Sequence, residues 1–248
     1  MKHVAILQAR TSSSRLPGKV MREINGQPMI SIQIRRILKS KVDKLVLATS
    51  QDSSDDELAN YVSSLGVQVF RGSLSDVHSR FLNIVESMNP KYFIRLTADC
   101  PLVMPDLLND MIHEFDLNPC DYLSNTIPPT FPDGLDVEIV STKAFKKMSG
   151  LELSELEKEH VTLALYKNPE HFKVRNYKSS IDYSHFRWTV DYPEDLEFIQ
   201  NIFSFYCKNE LDVSMMEIIN DLESGVISNN LRTGLYRNIH MSKGREEI

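Results

Sequence analysis

The chain has 248 residues, 42% of them hydrophobic and 25% charged, enough for one large α/β domain with a sizeable core but short for two average domains of ~100–200 residues each. Its 28 basic and 34 acidic residues leave a formal charge of −6, which excludes a chain-wide attraction to nucleic acid or anionic lipid and makes any polyanion site local. Cys100, Cys120 and Cys207 are scattered and odd in number, which argues against a disulfide framework or a paired-cysteine metal knuckle and fits a reducing cytoplasm, and no apolar stretch approaches the ~18 residues of a membrane span.

In chain order, short apolar runs alternate with stretches of helical period. Strands are predicted over 4–7, 45–48, 67–70 and 93–96, and helices over 30–38, 57–65 and 77–88, where residues 77, 81, 84, 85 and 88 share a face. Strand, helix and strand at this spacing predict a parallel sheet with right-handed crossovers. Beyond residue 120 the rhythm loosens. Strands are predicted over 121–124 and 135–140, on either side of a Pro-rich loop from Pro128 to Gly134. Helices over 154–166, 194–205 and 214–222 and late strands over 172–177 and 186–190 complete the pattern. A single domain over 1–227 is expected, with 120–140 as an excursion from it. Residues 228–248 form a tail without a clear period.

The segment 8–19 follows the first strand, where open α/β sheets place ligands. It gathers Arg10, Arg15, Lys19, four hydroxyl side chains and Gly18. A triphosphate needs fixed positive charge, several donors and backbone that can come close, although a solvated basic loop would have the same composition. A Walker loop would require Gly at Ser13 and Ser or Thr at Val20, and no GxGxxG occurs, so both common nucleotide signatures are excluded.

Asp99 and Asp191 each follow an apolar strand, and Pro101 and Pro193 lie two residues beyond them. An aspartate in that place serves as a turn or cap residue, or, paired with a second carboxylate, as one of the few protein ligands Mg²⁺ takes. Glu194 and Asp195 suit the first turn of a helix. Asp136 and Glu138 share a face if 135–140 is a strand. Trp188 is read as core. The seven histidines show no HxxxH or Cys pairing for a transition metal.

Arg10, Ser13, Arg15, Leu16, Pro17, Gly18 and Lys19 match, position for position, the R-x-x-S-x-R-L-P-G-K motif. On these residues the chain resembles the sugar-acid cytidylyltransferases, the family of the CMP-sialate and CMP-Kdo synthetases and, most closely, the spore-coat polysaccharide biosynthesis protein F group. The resemblance continues through Thr49-Ser50 with Asp55-Asp56, Arg71-Gly72-Ser73, Arg95 to Leu102, Phe131 to Glu138, Glu159 to Thr162 and Arg187 to Leu196. Ala98 and Cys100 depart from the commoner pattern and are both small.

The resemblance implies a Rossmann-like, GT-A-like nucleotidyltransferase fold with a mixed, mostly parallel sheet flanked by helices. It implies transfer of CMP from CTP to a sugar acid of the 2-keto-3-deoxy type. Nucleotide contacts would come from Ala9, Arg10, Ser13, Arg15, Gly18, Lys19, Thr97 and Asp99, and acceptor contacts from Asp133, Asp136, Glu138 and His160. Lys19, Arg10, Asp99 and Asp191 would be catalytic, with Mg²⁺ on Asp99 and Asp191. A homodimer is also implied, with part of 120–140 near the partner's site; neither nucleic acid nor membrane is expected as a partner. Two other readings keep the pocket: a nucleotidyltransferase using another nucleotide or a sugar-phosphate or small-alcohol acceptor, and a non-catalytic nucleotide-binding subunit.

Overall fold

Apolar residues on both faces of a strand mark a buried central position, and His3–Gln8, with Val4 to Leu7 all buried, forms such a strand, β1. The computed structural model describes residues 2–206 and 211–228, so Cys207 and nearly all of the 228–248 tail lie outside the described residues. After β1 a loop and a short 3-10 turn lead to a small hairpin, β2 (Glu23–Ile24) and β3 (Gln27–Pro28), and to α1 (Met29–Leu38). Then follow β4 (Lys44–Ser50), α2 (Asp56–Ser64), β5 (Gln68–Gly72), α3 (Val77–Met88) and β6 (Tyr92–Thr97). The Asp76 side chain caps α3 by accepting from the Ser79 N–H at 2.8 Å, and the helix stops at Asn89, whose left-handed φ of 44° ends the turn.

The second half contains α4 (Pro105–Leu117), β7 (Tyr122–Ser124), β8 (Glu138–Ser141), α5 (Thr142–Ser149), α6 (Glu155–Glu159), α7 (Leu163–Lys167), β9 (Val174–Asn176), α8 (Pro193–Phe205) and α9 (Met215–Glu223). Seven strands make one sheet in the order β5-β4-β1-β6-β8-β7-β9. From β5 to β6 every neighbour is parallel, β8 runs antiparallel to β6 and β7, and β9 returns parallel to β7. The sheet is thus mixed, mostly parallel and flanked by helices, as expected. Side-chain alternation along β1 divides the core: Ala5 and Leu7 pack with α1, α4, α8 and α9, while Val4 and Ile6 pack with α3, α5 and α7. Among the described residues no helix is long and apolar enough to cross a membrane.

Several predicted elements differ. Helices α4 and α5 carry no counterpart in the sequence reading. The helix expected over 154–166 is two short ones, parted at His160–Thr162, where the Thr162 hydroxyl turns inward to donate to Glu138 Oε1 at 2.7 Å. The strand expected over 135–140 begins only at Glu138. Ahead of it the buried Asn125 amide takes the place of a neighbouring strand, donating to the Leu135 carbonyl and accepting from the Val137 N–H. Residues 186–190 are extended but join no ladder. They bond at single points, Asp133 N–H to the Phe186 carbonyl at 2.9 Å, Trp188 N–H to the Asp133 carbonyl at 2.6 Å, and Val190 N–H to the Asp99 carbonyl at 2.8 Å.

Gly134 makes that contact possible. Its φ is 106°, and a Cβ built there would lie 2.5 Å from both the Trp188 carbonyl carbon and the Thr189 nitrogen. Backbone, not a flexible side chain, fills the space. Gly134→Ala is expected to destabilise the fold by on the order of 2–4 kcal/mol, read as a lower urea midpoint at unchanged slope.

Candidate functional site

Because β1 and β6 are adjacent and parallel, Gln8 beside Thr97 in register, their carboxyl ends open side by side. The loop 9–19 leaves from one and Asp99 from the other. The Thr11 carbonyl folds the loop by accepting from the Ser13 and Gly18 N–H groups at 2.8 and 2.9 Å, and Leu16 anchors it in the core. Gly18 turns with a φ of 67° and meets nothing within 4 Å where a Cβ would stand, so its backbone is open to a close approach. Ala9 is buried and its N–H bonds to the Ala48 carbonyl, whereas Arg10 is exposed.

Asp55 holds this loop to the end of β4. The residue is fully buried; Oδ1 accepts from the Thr11 N–H and hydroxyl at 2.7 and 2.8 Å, and Oδ2 from the Thr49 hydroxyl, the Ser50 N–H and the Ser50 hydroxyl. Burial pushes its carboxyl up, but these bonds outweigh burial and bring the pKa below the usual range. Asp55 was legible only as part of a family motif; its clamp on Thr11 spans 44 positions.

Four of the predicted residues, Arg15, Lys19, Asp99 and Asp191, converge. The buried Lys19 ammonium donates to Asp99 Oδ2 at 3.2 Å, to Asp191 Oδ1 at 3.0 Å and to the Val190 carbonyl at 2.8 Å. Burial works against its charge, but the two carboxylates prevail and its pKa is raised. Burial likewise pushes Asp99 up, and Lys19, helped by Thr97, brings it below the ordinary value. Asp191 is driven far lower by Lys19 and by Arg15, which pairs with its Oδ1 at 2.7 Å and lies over the Tyr192 ring. Thr97 sits at the end of β6, its hydroxyl 3.4 Å from Cys100 Sγ and its carbonyl accepting from Gln33.

The residues read for the acceptor fall into two neighbouring networks. Asp133 pairs with Arg187 at 2.9 Å, and the same guanidinium reaches Asp191 at 3.1 Å and Asp195 at 3.2 Å. Asp195 also accepts from the Asp191 and Tyr192 N–H groups, in keeping with the structural place read for it. Glu138 is internal: its oxygens accept from Tyr122, Thr162 and Arg95, whose Nε and Nη2 reach Gln8 Oε1 at 3.2 and 3.0 Å. Burial pushes its carboxyl up, and Arg95 together with the Tyr122 and Thr162 hydrogen bonds outweighs it, leaving the pKa lowered. His160 is half-buried near this pair and its pKa is lowered by burial, so it is neutral at pH 7. Asp136 is half-buried in the loop before β8 rather than on a strand face with Glu138. Arg187, Arg95 and Asp55 were not singled out from sequence, since each joins the site through a partner 54, 43 or 44 positions away.

The paired carboxylates of Asp99, just past the end of β6, and of Asp191, on the segment entering α8, are a hard-oxygen donor set. They suit a cation that takes one or two protein carboxylates and completes its shell with water and phosphate. Among the described residues no group of three or more His, Cys, Asp or Glu forms a closed metal cage.

A family model described as cytidylyltransferase matches residues 4–227. The chain is 34% identical over 222 residues to the spore coat polysaccharide biosynthesis protein SpsF of Bacillus subtilis, covering 86% of this chain and 91% of that one. A solved cytidylyltransferase from Leptospira borgpetersenii superposes with a TM-score of 0.87 at 30% identity, over 96% of this chain and 100% of that one. A CMP:2-keto-3-deoxy-manno-octonic acid synthetase complexed with CTP shares the fold, with a TM-score of 0.65 at 16% identity over 83% and 99% of the two chains.

Asp55, Asp99, Asp191 and Glu138 all titrate below their ordinary values. A depressed carboxyl contributes stability that is fully present above the unfolded pKa of about 4 and is lost as pH falls through the folded value. Urea unfolding is therefore expected to show stability declining from about pH 5 downward, and Asp55→Asn to make that decline shallower.

Proposed function

Because the chain belongs to the cytidylyltransferase family, and is therefore a CTP-dependent nucleotidyltransferase, we propose that it transfers CMP from CTP to a sugar acid of the 2-keto-3-deoxy type, nonulosonic or octulosonic. Pyrophosphate is the second product, and the CMP-sugar serves surface polysaccharide synthesis. The observation that carries this reading is the meeting of Lys19 with Asp99 and Asp191, next in the chain to the open backbone of Gly18. The nature of the relatives supports the sugar-acid acceptor.

Nucleotidyl transfer asks a protein for alignment and charge neutralisation more than for covalent chemistry. The acceptor hydroxyl oxygen bonds to the α-phosphorus as the bond to the bridging oxygen of pyrophosphate breaks. Arg10, exposed at the mouth of the loop, together with Ser13, Arg15 and the Gly18 backbone, grips the triphosphate, with Ala9 and Thr97 lining the nucleotide side. Lys19 lies on Asp99 and Asp191 and moves onto the α-phosphate as negative charge builds there. Asp99 and Asp191 would hold Mg²⁺, which when bound would supply Lewis-acid stabilisation of that charge and a lowered pKa for the attacking hydroxyl. Asp136 and neutral His160 are the acceptor contacts, while Asp133 and Glu138 set the positions of Arg187 and Arg95.

A single nucleotidyltransferase domain over 1–227 and a homodimer built near 120–140 belong to the same reading. The first is supported by the extent of the family match. The second is supported by Ile127 and Ile181, exposed on two loops that are tied by the Thr130 bonds to Ser179 and Tyr183.

Pyrophosphate release with Mg²⁺ and each of CTP, UTP, GTP and ATP, against a panel of nonulosonic and octulosonic acids and sugar phosphates, tests the proposal. CTP with one such acid is expected to give turnover; release confined to a sugar phosphate would move the assignment to that acceptor. Lys19→Ala and Asp99→Asn are each expected to keep the circular dichroism of the wild type and lower turnover by about two to three orders of magnitude.

A further inference from the structure

An ammonium has three N–H donors, and all three of Lys19 are engaged: two on carboxylates and one on the Val190 carbonyl. A group so saturated cannot also hold a phosphate oxygen. Asp191 is gripped from other directions by Arg15 on Oδ1 and Arg187 on Oδ2, and Asp99 accepts from Cys100 Sγ on Oδ1. The Lys19 side chain bridges Asp99 to Asp191. The carboxylate pair that suits a divalent cation is already satisfied by a monovalent one supplied from the phosphate loop itself.

Resting on the reading above, we propose that Lys19 is the resident counter-ion of the Asp99–Asp191 pair, and that a divalent metal and Lys19 compete for those two carboxylates, so that metal entry releases Lys19 toward the triphosphate. A doubly charged ion with oxygens at ~2.0–2.1 Å outbids an ammonium at 3.0–3.2 Å, but the ammonium raises the metal concentration needed. It also keeps two like charges from facing one another when no metal is present. Since Lys19 sits on the loop that holds phosphate, one displacement serves two ligands: freeing the carboxylates arms the loop. By linkage, whatever draws Lys19 away tightens metal, and metal tightens whatever Lys19 moves to.

The test uses the full chain without nucleotide and Mn²⁺ as the probe, with free Mn²⁺ followed by electron paramagnetic resonance. Lys19→Met, which keeps the length of the side chain and removes its charge, is expected to bind Mn²⁺ more tightly than wild type by about 5–150-fold. Lys19→Arg is expected to stay weak, and adding Asp191→Asn to Lys19→Met is expected to abolish the gain. Equal or weaker binding by Lys19→Met, or a gain that survives Asp191→Asn, overturns the proposal. Should Lys19→Met fail to fold, the wild type answers the same question through reductive methylation followed by peptide mass spectrometry. Saturating Mn²⁺ is expected to speed modification of Lys19, and an unchanged rate overturns the proposal. Neither measurement involves turnover, so absence of pyrophosphate release from CTP would sink the functional reading and leave this competition standing or falling on its own data.

Discussion

One guanidinium joins the parts of the site that chain order keeps apart. Arg187 meets Asp133, Asp191 and Asp195 at 2.9–3.2 Å, and its planar fork can do so because its donors point in fixed directions with no deprotonated form to fall back on. Asp133 comes from the loop before β8, Asp191 from the segment entering α8, and Asp195 from the first turn of that helix. Losing any one partner would leave charge only partly compensated in a half-buried place, the most costly state for an ion pair. The placement of Asp191, and through it of Lys19 and Arg15, depends on this knot.

The charge balance of the site follows. Arg15, Lys19 and Arg187 face Asp99, Asp133, Asp191 and Asp195, three cations against four carboxylates. A pocket for a triphosphate would be expected to show a surplus of positive charge, yet this one is close to neutral before substrate arrives. On the proposed reading, further positive charge for the polyanion would come from Arg10 at the surface and from a cation bound with the substrate. The near-neutral state keeps like charges from straining the fold in the absence of nucleotide.

Much of the parallel half was legible in the sequence because its signals are local. The apolar run of β1 and the shared face of α3 each lie within one element, and local patterns survive without tertiary information. Helix α4 has no counterpart in the sequence reading although Leu107, Leu108, Met111, Ile112 and Phe115 repeat with helical spacing, because it starts directly after the turn at Asp99 and Pro101. Helix α5, eight residues long with three lysines, offers only a narrow apolar stripe of Ala144, Phe145 and Met148. At the site, the residue types and their strand ends could be read, but not their partners. That Lys19 points at carboxylates, that Glu138 is internal and that Asp55 clamps the loop are facts about distances between residues dozens of positions apart. Nor could a strand be told from an extended segment at 135–137 and 186–190, where alternation is present but no neighbour offers a ladder.

The missing side chain at Gly134 has a consequence for how this surface can vary. With the backbone of residues 188 and 189 lying where a Cβ would go, the 131–135 loop and the 186–190 segment act as one riveted plate. Neither can gain or lose a residue, or shift sideways, without the other following. On the proposed reading, a change of acceptor shape would be accommodated not in this plate but around its rim, at Thr126 to Thr130 and at residues 177–182, where side chains are more open. The rivet separates what can be reshaped from what must stay aligned: the rim can be altered while Asp191, carried on the plate, keeps its distance from Asp99.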